Sequence, residues 1–183
     1  LPWRRIGAVD FAVPDTFLAM HVIGCQPLAD RFDLLLIGLP HDAKGRVSLP
    51  AELRMELQRR SEHAPFLTNM PDHLALYPHE DWLAYEEKLF APDPFMPEAQ
   101  DLQLFMLSGA VPCAADNQGR ILIPPALREH ARLDKDVVIA GAGMHIQIWD
   151  RARFDQFIAR TQSNFRELAS VVSTAARASK QRI

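Results

Sequence analysis

A thirteen-residue stretch occurs twice in this chain, and it constrains the fold more than any other feature. The first copy runs from Asp42 through Lys44, Gly45, Arg46, Leu49, Pro50 and Leu53 to Arg54. The second runs from Asp116 through Gln118, Gly119, Arg120, Ile123, Pro124 and Leu127 to Arg128. Asp, Gly, Arg, Pro, Leu and Arg recur at matching offsets, and Val47/Ile121 and Leu49/Ile123 are similar pairs. An ordered set of this kind marks an internal duplication. Asp-x-x-Gly is turn chemistry: Asp bonds its own backbone two residues on, and Gly supplies a positive φ. The alternation Arg46-Val47-Ser48-Leu49 predicts a short half-buried strand. Pro50 and Pro124 end the strands and open short amphipathic helices over 50–60 and 124–132. Each unit therefore reads as strand, tight turn, strand, helix.

The rest of the chain falls into place around these units. Leu34–His41 predicts a strand leading into the first turn, with Pro40 at an edge or bulge because it donates no ladder bond. Strands are expected at Phe66–Asn69 and Leu74–Tyr77 around a turn at Met70–His73. Pro78 opens a helix with Glu80 and Asp81 in its first turn, and Trp82, Tyr85 and Leu89 on its buried face. Residues 91–97 read as a linker. A helix over 98–107 follows, with Leu102, Phe105 and Met106 on one face. In the second half, strands are expected at 110–115, 137–140 and 145–149, with Gly141-Ala142-Gly143 as the last turn. Asp150 caps a final helix that breaks near 161–163. Trp82 and Phe154, each following a strand that ends in an aromatic, are read as core. Residues 1–33 carry no sustained period and are read as an N-terminal extension outside the repeat. Asp10 and Asp15 interrupt what would be the apolar core of a signal peptide.

Bulk properties narrow the function classes. A hydrophobic fraction of 48% is that of an ordinary globular protein. Cys25 and Cys113 form no CxxC pair, which gives neither a disulfide framework nor zinc spacing and fits a reducing compartment. No apolar run is long enough to span a bilayer. The net charge of −3 argues against nucleic acid, but the charge is segregated. His41–Arg60 holds five Lys/Arg against three Asp/Glu, whereas Ser61–Asp101 holds nine Asp/Glu against Lys88 alone.

Enzyme motifs fail on inspection. His79-Glu80 begins a zinc-protease helix, but Leu83 stands where the second ligand belongs. Gly141-Ala142-Gly143 begins a dinucleotide loop, but Ile146 replaces the third Gly. Ser108-Gly109 lacks a nucleophile-elbow frame. The expectation is a protein that is not an enzyme, with no cofactor and no metal.

Ordered pieces across most of the chain resemble the MraZ family of bacterial transcriptional regulators. They are Asp42-x-Lys44-Gly45-Arg46 with Leu49-Pro50-Ala51, Leu76-Tyr77-Pro78 with Trp82, and Leu107-Ser108-Gly109-Ala110. In the second half they are Asp116-x-x-Gly119-Arg120 through Pro124, Leu133 to Val137, and Ile148-Trp149. The resemblance implies an α+β fold of two tandem β-α-β, AbrB-like swapped-hairpin units related by a pseudo-twofold, with peripheral helices. The expected division is an extension (1–33), domain 1 (36–83), a helical linker (84–109), domain 2 (110–153) and a C-terminal helical segment (154–183). The resemblance further implies a sequence-specific DNA-binding regulator, cytoplasmic and nucleoid-associated. It is expected to form a ring-like homo-oligomer and to act on direct repeats upstream of its own division and cell-wall gene cluster.

The candidate double-stranded DNA contacts are Lys44, Arg46, Asn117, Gln118, Arg120, Arg54 and Arg128; Asp42, Gly45, Asp116 and Gly119 are structural turn residues. Arg46 and Arg120 suit a guanine edge, and Lys44 a phosphate. The competing reading is that each Arg braces its own hairpin through Asp42 or Asp116. Arg54 and Arg128 reach either DNA backbone or acids inside the domain. The alternative function is an antitoxin-type interaction module whose C-terminal helix, with Phe165, Leu168 and Val172 on one stripe, binds a protein partner. Against it stands the reading that this helix packs on its own domain or on a ring neighbour.

Overall fold

A computed structural model describes residues 20–21, 35–40, 44–93 and 95–180, with side chains from 44 to 175 except 94. Nine strands and six helices follow in chain order among these residues: β1 (Met20–His21), β2 (Leu35–Pro40), β3 (Arg46–Ser48), α1 (Ala51–Arg60), β4 (Phe66–Asn69), β5 (Leu74–Tyr77), α2 (His79–Phe90), α3 (Pro97–Ser108), β6 (Val111–Pro112), β7 (Arg120–Leu122), α4 (Pro125–Ala131), β8 (Asp136–Ala142), β9 (His145–Asp150), α5 (Arg151–Ser163) and α6 (Phe165–Lys180). Asp42 and most of the extension lie outside the described residues. The extension does reach the sheet: Met20 and His21 pair antiparallel with Leu36 and Leu35.

The two halves are interleaved rather than side by side. The larger sheet runs β1-β2-β8-β9-β5-β4-β6, and β3 pairs with β7 in a separate two-stranded ribbon. The lead-in strand of each half joins the hairpin of the other: β2 pairs with β8, and β6 with β4. At the centre β5 and β9 pair with a symmetric register, Leu74 facing Ile148 and Leu76 facing Ile146. The expected strand–turn–strand units thus exchange their lead-in strands in the larger sheet, while the second copy also closes its own tight turn, the Asp116 N–H donating to the Arg120 carbonyl at 2.8 Å.

Period-two alternation sorts the sheet's side chains. One face sends Leu67, Leu74, Leu76, Val137, Ile139, Ile146 and Ile148 into a core shared with Val47, Ile121, Leu53 and Leu127. That core holds the ribbon, α1 and α4 against the sheet. The other face carries two separate clusters. Tyr77, Trp82, Leu89 and Met106 gather under α2 and α3, and Val138, Trp149 and Phe154 gather under α5. Trp82 and Phe154 are core, as expected. Burying side chains of this size contributes roughly 1.5–3 kcal/mol each.

Local details depart from expectation in four places. Gly141 and Ala142 continue strand β8 opposite Ile146 and His145, so the turn shrinks to Gly143-Met144. Gly143 supplies the positive φ of 70° that this turn needs. The expected strand at 110–115 is only Val111–Pro112 plus an isolated bridge from Ala115 to Ile121. In α3 the buried residues are Ala99 and Met106, and Leu102 is exposed. The C-terminal helix breaks at Asn164, one residue beyond the expected span, and Asp150 caps α5 by accepting from the Arg153 N–H at 3.1 Å.

The third helix of each half behaves differently. α3 is clamped to the sheet edge: Thr68 Oγ1 donates to the Met106 carbonyl at 2.6 Å, and Asn69 Nδ2 donates to the Phe105 carbonyl at 2.9 Å. α6 has no such clamp among the described residues. Phe165, Leu168, Val171 and Val172 are exposed along it.

Candidate DNA-binding ribbon

The site is built by the duplicated stretch on itself. Val47 faces Ile121 across the ribbon, with Arg46 opposite Leu122 and Ser48 opposite Arg120. The flanking bonds are reciprocal: the Leu49 N–H donates to the Gly119 carbonyl at 2.9 Å, and the Ile123 N–H to the Gly45 carbonyl at 3.1 Å. Pleating sends Val47 and Ile121, both fully buried, into the core. The opposite face is left to Arg46, Ser48, Arg120 and Leu122. The two arginines lie diagonally across it. Lys44 stands exposed at one turn, and Asn117 and Gln118 at the other. Ser48 and Leu122 were not singled out from the sequence. The signal was available, because both occupy the outward step of the alternation that marks Arg46 and Arg120. Leu122 remains 57% exposed, an apolar side chain on a polar face.

The second turn is fixed by Asp116. Its Oδ1 accepts from the Gln118 and Arg120 backbone N–H groups, both at 2.9 Å. Its Oδ2 accepts from Arg120 Nε at 2.9 Å and Nη2 at 2.7 Å. Those bonds, the Arg120 side chain foremost, hold the carboxyl down at about 2, below the usual carboxylate value. The bracing role is therefore real for Arg120. It does not use up the side chain, since a guanidinium has five N–H donors. Gly45 and Gly119 take φ values of 78° and 75° and serve the turns as expected.

Among the described residues Arg54 and Arg128 form no ion pair with an acid, the pairing one reading expected. Each crosses to the other half. A methyl group placed on Gly45 would lie 2.6 Å from Arg128 Cζ and Nε, and one placed on Gly119 would lie 2.5 Å from Arg54 Cζ. The Nε atoms of both arginines are buried with no acceptor among the described residues.

Behind the ribbon, Arg54, Glu62, His63 and Asp116 help line a cleft of about 250 Å³. No group of three or more His, Cys, Asp or Glu side chains converges on a metal position among the described residues. Cys113 is buried and free, and burial pushes its thiol up to about 11. At the back of the sheet, His73 stacks on Trp149 at 4.2 Å and His145 on Tyr77 at 4.7 Å. Burial lowers both imidazoles, His73 to about 4. No helix among the described residues is long and apolar enough to cross a membrane.

Strand exchange about a pseudo-twofold, with a two-stranded ribbon lifted off the sheet and arginines on its outer face, defines an α+β protein of the swapped-hairpin class. Comparison with known proteins gives the family. The family described as MraZ protein matches residues 39–105 and 106–172 in tandem. The chain belongs to the MraZ family. It is similar to a protein of Solidesulfovibrio magneticus, 42% identical over 126 residues, covering 68% of this chain and 83% of the relative. It is also similar to one of Heliobacterium modesticaldum, 42% identical over 128 residues, covering 70% and 87%. A third, from Syntrophobacter fumaroxidans, is 37% identical over 127 residues, covering 69% and 85%. Each is named transcriptional regulator MraZ.

Proposed function

We propose that this chain is a DNA-binding transcriptional regulator that lays the β3–β7 ribbon into a major groove. The observation that carries the reading is the outward face of that ribbon, with Arg46 and Arg120 placed diagonally around Ser48 and Leu122. A major groove admits a two-stranded ribbon, and an Arg there reads guanine O6 and N7. Leu122 offers apolar contact to a thymine methyl. Lys44, Asn117 and Gln118 at the turns are placed for phosphates or flanking bases. The names of the relatives support a regulator, and no catalytic role is proposed.

The finer parts of the reading follow the family resemblance. The protein acts in the cytoplasm, on the nucleoid, as a ring of copies on direct repeats upstream of its own division and cell-wall gene cluster. The exposed apolar residues of α6, and Leu83, Phe90 and Leu104 on α2 and α3, supply surfaces for self-assembly. A ring also answers the small number of basic contacts per chain, because linked sites on spaced repeats convert weak binding into avidity. A second reading, a protein-partner module of antitoxin type, draws on the same α6 stripe.

The deciding experiment is a gel shift with a duplex from upstream of the chain's own gene, across a salt series, alongside a pulldown. The expected result is preference for that duplex over a scrambled one, lost in Arg46→Ala at unchanged melting temperature. Recovery of a discrete toxin-like protein, with no preference for the upstream duplex, would establish the second reading instead.

A further inference from the structure

The crossed arginines point to a division of labour in the site. We propose that Arg54 and Arg128 are positioning residues, each seating its guanidinium on the reading turn of the opposite half and fixing the angle at which that turn meets DNA. The inference rests on the DNA-binding reading above and removes these two arginines from the direct contacts.

Three observations carry it. The first is reciprocity: Arg54 of the first copy lies on Gly119 of the second, and Arg128 of the second lies on Gly45 of the first. The same arrangement is kept on both sides of the pseudo-twofold. The second is chemistry. A guanidinium is planar and weakly hydrated, so it can lie flat on a bare peptide where an ammonium would keep its water. Both Nε atoms are buried without an acceptor among the described residues, so neither Nε is available to a phosphate. The third is the double demand on each glycine. The positive φ favours a residue without Cβ strain, and a Cβ on either glycine would meet the guanidinium and push it out of its seat. The second turn is thus held by Arg54 of the other half while its own Asp116 shapes it from within.

The crossing makes a prediction that neither a phosphate contact nor simple packing makes. Arg54 should couple to Arg120, and Arg128 to Arg46. Full-length Arg54→Ala, Arg54→Lys, Arg46→Ala, Arg120→Ala and the two doubles with Arg54→Ala are titrated with the upstream duplex at several salt concentrations. Melting temperature and amide exchange are measured on the same samples. Expected is a loss of at least fivefold in affinity for Arg54→Ala with the salt slope and melting temperature unchanged. Arg54→Lys fails to rescue it. Arg54→Ala is non-additive with Arg120→Ala and additive with Arg46→Ala. Exchange speeds up at Gly119 and Arg120, whose N–H groups bond Asp116, and not at Arg46.

A salt slope reduced by about one charge, with Arg54→Lys close to wild type, would overturn the proposal in favour of a phosphate contact. Affinity lost only in proportion to a lowered melting temperature would overturn it in favour of packing. If the wild-type protein shows no preference for the upstream duplex, the DNA-binding reading fails. The exchange at Gly119 and Arg120 in Arg54→Ala then still decides whether the crossed brace exists.

Discussion

The two halves agree where they meet and disagree where they face outward. At the ribbon they match position by position: buried Gly45 and Gly119, half-buried Arg46 and Arg120, buried Val47 and Ile121, exposed Ser48 and Leu122. On the back of the sheet they part. The first half folds a helical hairpin over its strands, with Trp82 and Met106 beneath it. The second continues past α5 into α6, which stands away from the sheet. The register explains the difference. Phe66 faces Tyr77 and Val138 faces Trp149, so Thr68 and Asn69 correspond to Ala140 and Gly141. The pair that grips the α3 carbonyls in one half is a pair without donors in the other. Duplication kept the surface where the halves must fit each other and released the surface where they need not.

The comparison can be broken first at its cores. Trp82→Ala should cost about 4 kcal/mol, and Phe154→Ala about 3 kcal/mol, by denaturant unfolding. The order follows from Trp82 at 2% exposure within the larger cluster and Phe154 at 9% within the smaller. Equal losses would mean that α2 and α5 are held alike. The clamp comes next. Thr68→Val with Asn69→Leu leaves two α3 carbonyls without their side-chain donors, costing about 2 kcal/mol. Protease cutting should then appear in residues 91–109 before it appears elsewhere.

Acid should act on the two stacked histidines. Both are held neutral by burial, and unfolding frees them to bind protons. Between about 6.5 and about 4 for His73, the unfolded chain binds more protons, so stability is fully present above that window and falls as pH falls through it. His73→Phe should flatten that part of a melting-temperature profile. Asp116 acts lower: its depressed carboxyl contributes stability above about 4 that is lost as pH falls toward about 2. The smallest effect belongs to α6. Leu168→Glu with Val172→Glu should shift the chain's own unfolding free energy by no more than about 0.5 kcal/mol each, because both are exposed. The same change should lower the assembly mass in light scattering if α6 joins neighbouring copies.

How much of this was legible in the sequence follows from what is local. Turn, strand and helix of each copy depend on neighbours a few residues apart, and Pro50, Gly45 and the Val47 alternation showed them. The MraZ resemblance implied the swapped-hairpin class. The residues alone could not tell whether β3 pairs with its own lead-in strand or with β7, because a hairpin and an exchanged hairpin have the same alternation. The seats of Arg54 and Arg128 are hidden from the sequence for a related reason. Their partner is the absence of a Cβ in the other half, and no charge pattern advertises that. Leu102 shares its helix face with Phe105 and Met106, and the periodicity does not show that it sits at the exposed margin of that face.

The exchange of lead-in strands has a consequence for how the protein is born. β2 ends at Pro40, and its partner strand begins at Asp136. A ribosome adding roughly 5–20 residues per second takes about 5–20 s to make what lies between them. Val47 has no Ile121 beside it for most of that wait, and Leu39 has no Val137 until its end. The first half cannot complete its core while it is still tethered, and its open apolar edge stays available to chaperones or to a neighbouring nascent chain. A nascent chain arrested before residue 136 should be cut readily by protease, and one released at full length should not.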